Sequence, residues 1–270
     1  MTYVIAEIGI NHNGDLDTAV KLINAAWESG CDAVKFQKRT VETVYTQEEL
    51  EKPRPSTFGN TNGDLKRGLE LSQDDYNAIN KHCRNLGIDW SASCWDEDSV
   101  DFIEQYNPPW YKIASASLTD DGLLQHTSNK GKPIFLSTGM STIGQIDHAV
   151  SILGKCTLMH TVSTYPADDE DLNLLVIQTL QRRYGLQVGY SGHESGTLAS
   201  VVAVALGATV IERHLTLDRK MWGSDQAASL EPAEMRKLVD DIRMIEKALG
   251  HGDKYLLDKE VPIMQKLRRK

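Results

Sequence analysis

The sequence is poor in the features that would mark a secreted, membrane-bound or nucleic-acid-binding protein. Its 270 residues include only four cysteines, Cys31, Cys83, Cys94 and Cys156, and none stands in a C-x-x-C pair. That scatter argues against a disulfide framework and for reduced, buried thiols. No apolar run approaches the roughly 20 residues a bilayer span requires, and "MTYVIAEIGI" carries no basic segment ahead of a long apolar stretch. The expectation is therefore a cytoplasmic protein with no membrane partner. Positive charge is also short: 29 Lys and Arg against 38 Asp and Glu leave a net charge of −9. Nucleic-acid affinity rests largely on neutralising phosphates with Lys and Arg, so nucleic acid is excluded as a partner. Any anionic ligand must meet a local positive site.

What the chain does have is alternation. Eight short apolar runs, "YVIAEIG" (3–9), "DAVKFQ" (32–37), "IDWSASC" (88–94), "WYKIAS" (110–115), "PIFLST" (133–138), "CTLMHTV" (156–162), "LQVGYS" (186–191) and "ATVIER" (208–213), are separated by stretches of helical periodicity. Asp15, Ser72 and Ser141 stand as helix N-caps, and Gly30, Gly87, Gly154 and Gly207 stand where helices should stop. Eight strand-then-helix units in a chain of this length predict an α/β fold, a (β/α)8 TIM barrel in a single domain, with a doubly wound open sheet as the alternative. The catalytic barrel is expected over 1–250 and a C-terminal tail over 251–270. The one long connection, 38–70, is rich in Pro, Gly, Asn and charge and is a candidate lid.

In a barrel of this kind the reactive groups stand at the C-terminal ends of the strands. Here those ends carry Glu7, Lys35 and Gln37, Ser93, Lys112 and Ser115, Ser137 and Thr138, His160 with Ser163 and Tyr165, Ser191 and His193, and Glu212 and His214. Serine and threonine at a strand exit need no special account. Lys35 and Lys112 do, because each interrupts an apolar run and a buried ammonium without a partner is costly. Either they form internal ion pairs or they hold an anion. His193 and His214 follow the seventh and eighth strands, which a barrel makes neighbours. Two neutral imidazoles at an open mouth suit a divalent metal with free coordination positions; a hydrogen-bonded histidine is the alternative for either one alone.

The motifs "IAEIGINHNGD" (5–15), "AVKFQ" (33–37), "YKIAS" (111–115), "LSTGMST" (136–142), "STYPA" (163–167), "GYSGHESG" (189–196), "ALGATVIERHLTLD" (205–218) and "GSDQAASLEP" (223–232) resemble, in order and spacing, the barrel domain of the N-acylneuraminate (sialic acid) synthase family. The resemblance implies a transferase of carbohydrate biosynthesis that condenses phosphoenolpyruvate with an open-chain aldose, N-acetylmannosamine or a related hexose, giving a 3-deoxy-2-keto sugar acid and phosphate. It implies a divalent metal on His193 and His214, manganese first, with magnesium or cobalt as alternatives. It places Lys35, Lys112, Ser93, Ser115, Ser137, Ser163 and Ser191 around phosphoenolpyruvate, and Glu7, Gln37, Tyr165 and Asp225 toward the sugar or the proton transfers, with Glu7, Lys35, Lys112 and Asp225 as the catalytic set.

A homo-oligomer, as a dimer, is what the family implies for assembly. The sequence departs from the family at several points. Ser93 and Ser163 replace a threonine and an asparagine, Ser117 stands where an acidic residue is common, and Gly192 replaces an aspartate beside the first histidine. The family's small antifreeze-like domain, which caps the mouth, is not expected in this chain; 38–70 and the tail are the candidates to replace it. Rival readings are a 3-deoxyoctulosonate-8-phosphate synthase-like enzyme acting on a phosphorylated pentose, and a non-catalytic barrel that binds sugar or phosphoenolpyruvate.

Overall fold

A computed structural model describes residues 1–269. Eight parallel strands close into a barrel: β1 (Tyr3–Gly9), β2 (Ala33–Lys38), β3 (Asp89–Cys94), β4 (Tyr111–Ile113), β5 (Ile134–Ser137), β6 (Thr157–Thr161), β7 (Val188–Gly192) and β8 (Val210–His214). β8 pairs back onto β1, with Glu7 opposite His214. The open-sheet alternative is thereby set aside.

Helix boundaries follow their caps. Asp15 accepts from the Thr18 amide at 2.8 Å, and Ser72 forms a reciprocal capping box with Asp75. The cap expected at Ser141 falls one residue later, on Thr142, because Gln145 completes a box with Thr142. Gly87 closes its helix at φ +70°, the left-handed position that glycine adopts without a Cβ penalty.

The strands' two-residue period explains the barrel interior. One inward layer near the strand starts is apolar: Ile5, Ala33, Trp110, Phe135, Met159 and Val210 form a buried cluster, with Trp110 and Phe135 ring centroids 4.9 Å apart. Two residues further along, the inward positions become Glu7, Lys35, Lys112, Ser137, Thr161, Ser191 and Glu212. A dry plug therefore floors a polar cup. The outward faces pack with the helices into the main core.

Segment 38–70 is a folded insert, not an irregular loop. It holds the helices Val41–Val44, Gln47–Glu51 and Asn62–Leu69 and an antiparallel hairpin of Pro53–Ser56 with Gly59–Thr61. Glu70 anchors its end to Lys38 at 2.9 Å and Arg39 at 3.2 Å. The insert lies directly on the turn after β1: a Cβ on Gly14 would run into the carbonyl of Gly68. The last barrel helix is Pro232–Leu249, and beyond it the helix Val261–Leu267 buries none of its residues.

Candidate active site

The C-terminal mouth holds a cavity of about 240 Å³ whose wall includes Glu7, Lys35, Gln37, Ser93, Lys112, Ser115, Ser137, Ser163, Tyr165, Ser191 and His193. Eleven of the thirteen residues to which the family resemblance gives a role thus line one space. The remaining two, His214 and Asp225, stand beside it. His214 faces the His193 and Tyr165 rings, with centroids 5.6 Å and 6.0 Å away. Asp225 lies half-buried on the loop after β8, holding a hydrogen bond from Ser224 Oγ at 2.7 Å, and its charge favours protonation of His214.

The lysines are ion-paired. Lys35 Nζ contacts Glu7 Oε2, donates to Ser93 Oγ at 2.6 Å and lies 3.8 Å from Glu212 Oε2. Lys112 Nζ lies 2.7 Å from Glu212 Oε1, which also accepts from Ser191 Oγ at 2.9 Å. Two ammoniums and two carboxylates therefore form one buried tetrad. The internal ion pairs are the alternative the structure shows for the lysines, and both residues also line the cavity.

Glu212 is the member that the sequence reading noted at a strand end but left without a role. The signal was present, because it interrupts an apolar run as the lysines do. Burial alone would raise Glu212, but the Lys112 and Lys35 ammoniums overcome it and hold its carboxyl at about 2. Glu7 behaves oppositely: burial dominates, Lys35 only partly offsets it, and its carboxyl rises to about 7. One carboxylate of the tetrad is thus fixed in charge and the other sits near neutral pH, the separation that proton transfer chemistry uses.

Across the cavity the groups are neutral. Ser115 Oγ accepts from the Gly139 amide at 3.1 Å. A Cβ at residue 139 would strike Ser163 Oγ and come within 2.8 Å of Ser115 Oγ, so only glycine lets this backbone approach the two hydroxyls. Met140 follows at φ +56°, a strained value for a residue with a side chain. The Tyr165–Pro166 peptide is cis.

The histidines meet the requirements for a shared ion. His193 Nδ1 is engaged with the Val162 carbonyl at 2.7 Å, which assigns its proton there and leaves Nε2 as a lone-pair donor. His214 Nδ1 is buried without a hydrogen-bond partner among the described residues. Burial, then the neighbouring His214, lowers His193 to about 4, and burial also lowers His214, so both rings are neutral at pH 7. Imidazoles ligating one ion at about 2.1 Å have centroids on the order of 5 Å apart; these stand at 5.6 Å. No group of three or more His, Cys, Asp or Glu side chains able to hold a metal occurs among the described residues. The pair would hold an ion with its other positions open.

Gly192 stands where a side chain has little room. A Cβ there would come within 2.5 Å of Glu194 Oε2 and 2.7 Å of Tyr190 Cε1. Glu194 fills that space as the partner of Arg213, at 2.8 Å, and accepts from Tyr190 OH at 2.7 Å. Arg213 also donates to the carbonyls of Glu194 and Gly196 and to Ser200 Oγ. This fully buried pair ties the His193 loop to β8 between Glu212 and His214 and was not foreseen.

A barrel with this tetrad and this histidine pair at its mouth defines a class of α/β enzyme. The NeuB family pattern matches residues 22–254, and the chain belongs to the NeuB family. It is 43% identical to the N-acetylneuraminate-9-phosphate synthase of Homo sapiens over 273 residues, 98% of this chain and 76% of that one. It is 39% identical to the N,N'-diacetyllegionaminic acid synthase of Legionella pneumophila, covering 99% of this chain and 78% of the relative. Among solved structures, the N-acetylneuraminic acid (sialic acid) synthetase of Leptospira borgpetersenii in complex with citrate superimposes with a TM-score of 0.87 at 31% identity, covering 100% of this chain and 93% of that one. Among the described residues, no helix is long and apolar enough to cross a membrane.

Proposed function

We propose that this protein condenses phosphoenolpyruvate with the open-chain aldehyde of a hexose of the N-acetylmannosamine type, forming a 3-deoxy-2-keto sugar acid and inorganic phosphate. The observation that carries the reading is the buried tetrad of Glu7, Lys35, Lys112 and Glu212 opening into the same cavity as His193. Lys35 and Lys112 meet the carboxylate and phosphate of the enol ester, and the Ser115 and Ser163 hydroxyls with Ser137 cradle the phosphoryl oxygens. The acidic protein surface is then no obstacle, because the positive charge is local. Ser93 and Ser191 act by holding Lys35 and Glu212 in place.

His193 and His214 would hold a divalent ion, manganese first, which supplies polarisation of an aldehyde oxygen when bound. Tyr165, its ring 4.1 Å from that of His193, walls the sugar side with Gln37 and Asp225. Carbon–carbon bond formation leaves an oxocarbenium-like centre that takes up water. Glu7, balanced near neutrality, is the group placed to accept the proton of that water. The relatives' names support a nine-carbon keto-acid product. Four free, buried cysteines accord with a cytoplasmic setting, and a homodimer is the assembly we assign.

The test is phosphate release from phosphoenolpyruvate and manganese with a panel of aldoses, and mass spectrometry of the acid formed. The panel comprises N-acetylmannosamine, its 6-phosphate, a diacetamido hexose, mannose and arabinose 5-phosphate. A hexose-dependent keto acid is the expected result. Release confined to arabinose 5-phosphate, or release with no aldose, overturns the proposal.

A further inference from the structure

The segment leaving β2 carries a buried cation that the reaction outlined above does not use. Arg39, only 5% exposed, stands two residues beyond Gln37. It sits behind the mouth cavity, whose wall includes Gln37 and Trp95 but not Arg39 itself.

Three partners hold its guanidinium. Nε lies 3.2 Å from Glu70 Oε1, and Nη1 donates to Tyr45 OH at 2.9 Å, so the folded insert grips the group from both of its ends. The third partner is Trp95, over whose ring the Arg39 Cζ sits 4.8 Å from the centroid. The Trp95 indole N–H has no acceptor among the described residues, which leaves the guanidinium as the polar contact of that side chain.

The remaining arm, Nη2, donates to Gln37 Oε1. Arginine offers donors and no acceptor, so the amide oxygen of Gln37 must face it and the amide nitrogen must face away. On that far side Gln37 Nε2 donates to Glu7 Oε1 at 3.3 Å, and its second hydrogen is uncommitted among the described residues. A half-buried glutamine at an open mouth would otherwise be ordered by the ligand, at a cost in affinity. Arg39 orders it beforehand.

We propose that Arg39 is a positioning residue for the acceptor sugar: it fixes the Gln37 amide with its N–H edge toward Glu7 and the cavity, so that this wall receives a sugar oxygen, and it ties the wall to the insert through Tyr45 and Glu70. The inference rests on the condensation reading above for what the cavity takes up; the locking of the amide does not.

The kinetic experiment measures KM for phosphoenolpyruvate and for the aldose of the panel that gives the keto acid, in the parent, Arg39→Met, Gln37→Leu and the double variant. Arg39→Met is expected to raise the aldose KM about tenfold and the phosphoenolpyruvate KM less than about twofold. Both substitutions act through one amide, so the double variant should be no worse than Gln37→Leu alone. Losses that multiply, or equal losses for the two substrates, overturn the inference.

Side-chain amide NMR of the full chain without substrates reads the lock directly, the Gln37 resonance being identified by its absence in Gln37→Leu. A dispersed, slowly exchanging amide in the parent that becomes mobile and coil-like in Arg39→Met supports the lock even where no aldose is turned over, in which case only the condensation reading fails. A Gln37 amide already mobile in the parent, a result that requires no folded Arg39 variant, or one unaltered by Arg39→Met, overturns the inference while leaving the condensation reading intact.

Discussion

Lys112 Nζ lies 2.7 Å from Glu212 Oε1, and the other oxygen of that carboxylate lies 3.8 Å from Lys35 Nζ, so one glutamate neutralises ammoniums from two different strands. Removing its charge leaves two buried ammoniums against the single carboxylate of Glu7. Glu212→Gln preserves shape and the contact to Ser191 while breaking that balance. Its unfolding free energy, from urea titration, is expected to fall by about 3–5 kcal/mol. Added phosphoenolpyruvate, a substitute anion, should recover more of the melting temperature in the variant than in the parent. A variant as stable as the parent would show the tetrad to be solvated and loosely coupled.

His12 predicts a pH dependence outside the tetrad. It is buried, with Nδ1 accepting from the Gly14 amide at 3.0 Å, and burial lowers its pKa from 6.5 to about 4. Between those values the unfolded chain binds the proton and the folded chain does not, so stability is full above about pH 6.5 and falls as pH drops toward 4. The slope attributable to this group is about 1.4 kcal/mol per pH unit. His12→Asn keeps an acceptor for Gly14 and should flatten the dependence by that amount, measured by urea unfolding at pH 7 and pH 5.

Much of this was legible in the sequence because the barrel turns a two-residue period into geometry. Lys35, Lys112 and Glu212 each interrupt a β-branched run, which is the one-dimensional trace of an inward polar layer above an apolar one. Cap residues fixed most helix starts, and the single shift, from Ser141 to Thr142, came from Gln145 completing a box with the later residue. What could not be read was which charge meets which. The Glu194–Arg213 pair joins residues on two segments whose facing depends on the strand register, and the reach of Arg39 to Tyr45 and Glu70 depends on how an insert of several short elements folds back on the end of β2. Nor could the sequence show that Glu194 occupies the volume a side chain at Gly192 would need.

Metal removal tests the histidine pair. With Nδ1 of His193 fixed on the Val162 carbonyl, its Nε2 is the donor, and His214→Ala leaves a single ligand. Chelation is expected to abolish phosphate release and manganese to restore it. His214→Ala should act like the chelated protein even at high manganese, with the bound-manganese paramagnetic signal weakened in parallel. Full turnover in metal-free solution would contradict the assignment.

Arg213 offers a last prediction, because its side chain never faces the cavity. It points outward between the inward-facing Glu212 and His214, and its five-donor fork reaches Glu194, Gly196 and Ser200. Arg213→Met leaves the Glu194 carboxylate buried with only the Tyr190 and Ser200 hydroxyls, and breaking such a pair costs about 3–5 kcal/mol. Gly192→Asp attacks the same pair from the other side, since its Cβ has no room beside Glu194. The loop carrying His193 hangs from this pair through the Glu194 backbone, so in both variants manganese affinity should fall along with melting temperature. Arg213→Lys, which retains the charge but not the fork, should recover stability better than it recovers metal binding. If the lysine variant restored both equally, the pair would be acting as charge neutralisation alone and the loop would owe its position to the Val162 carbonyl.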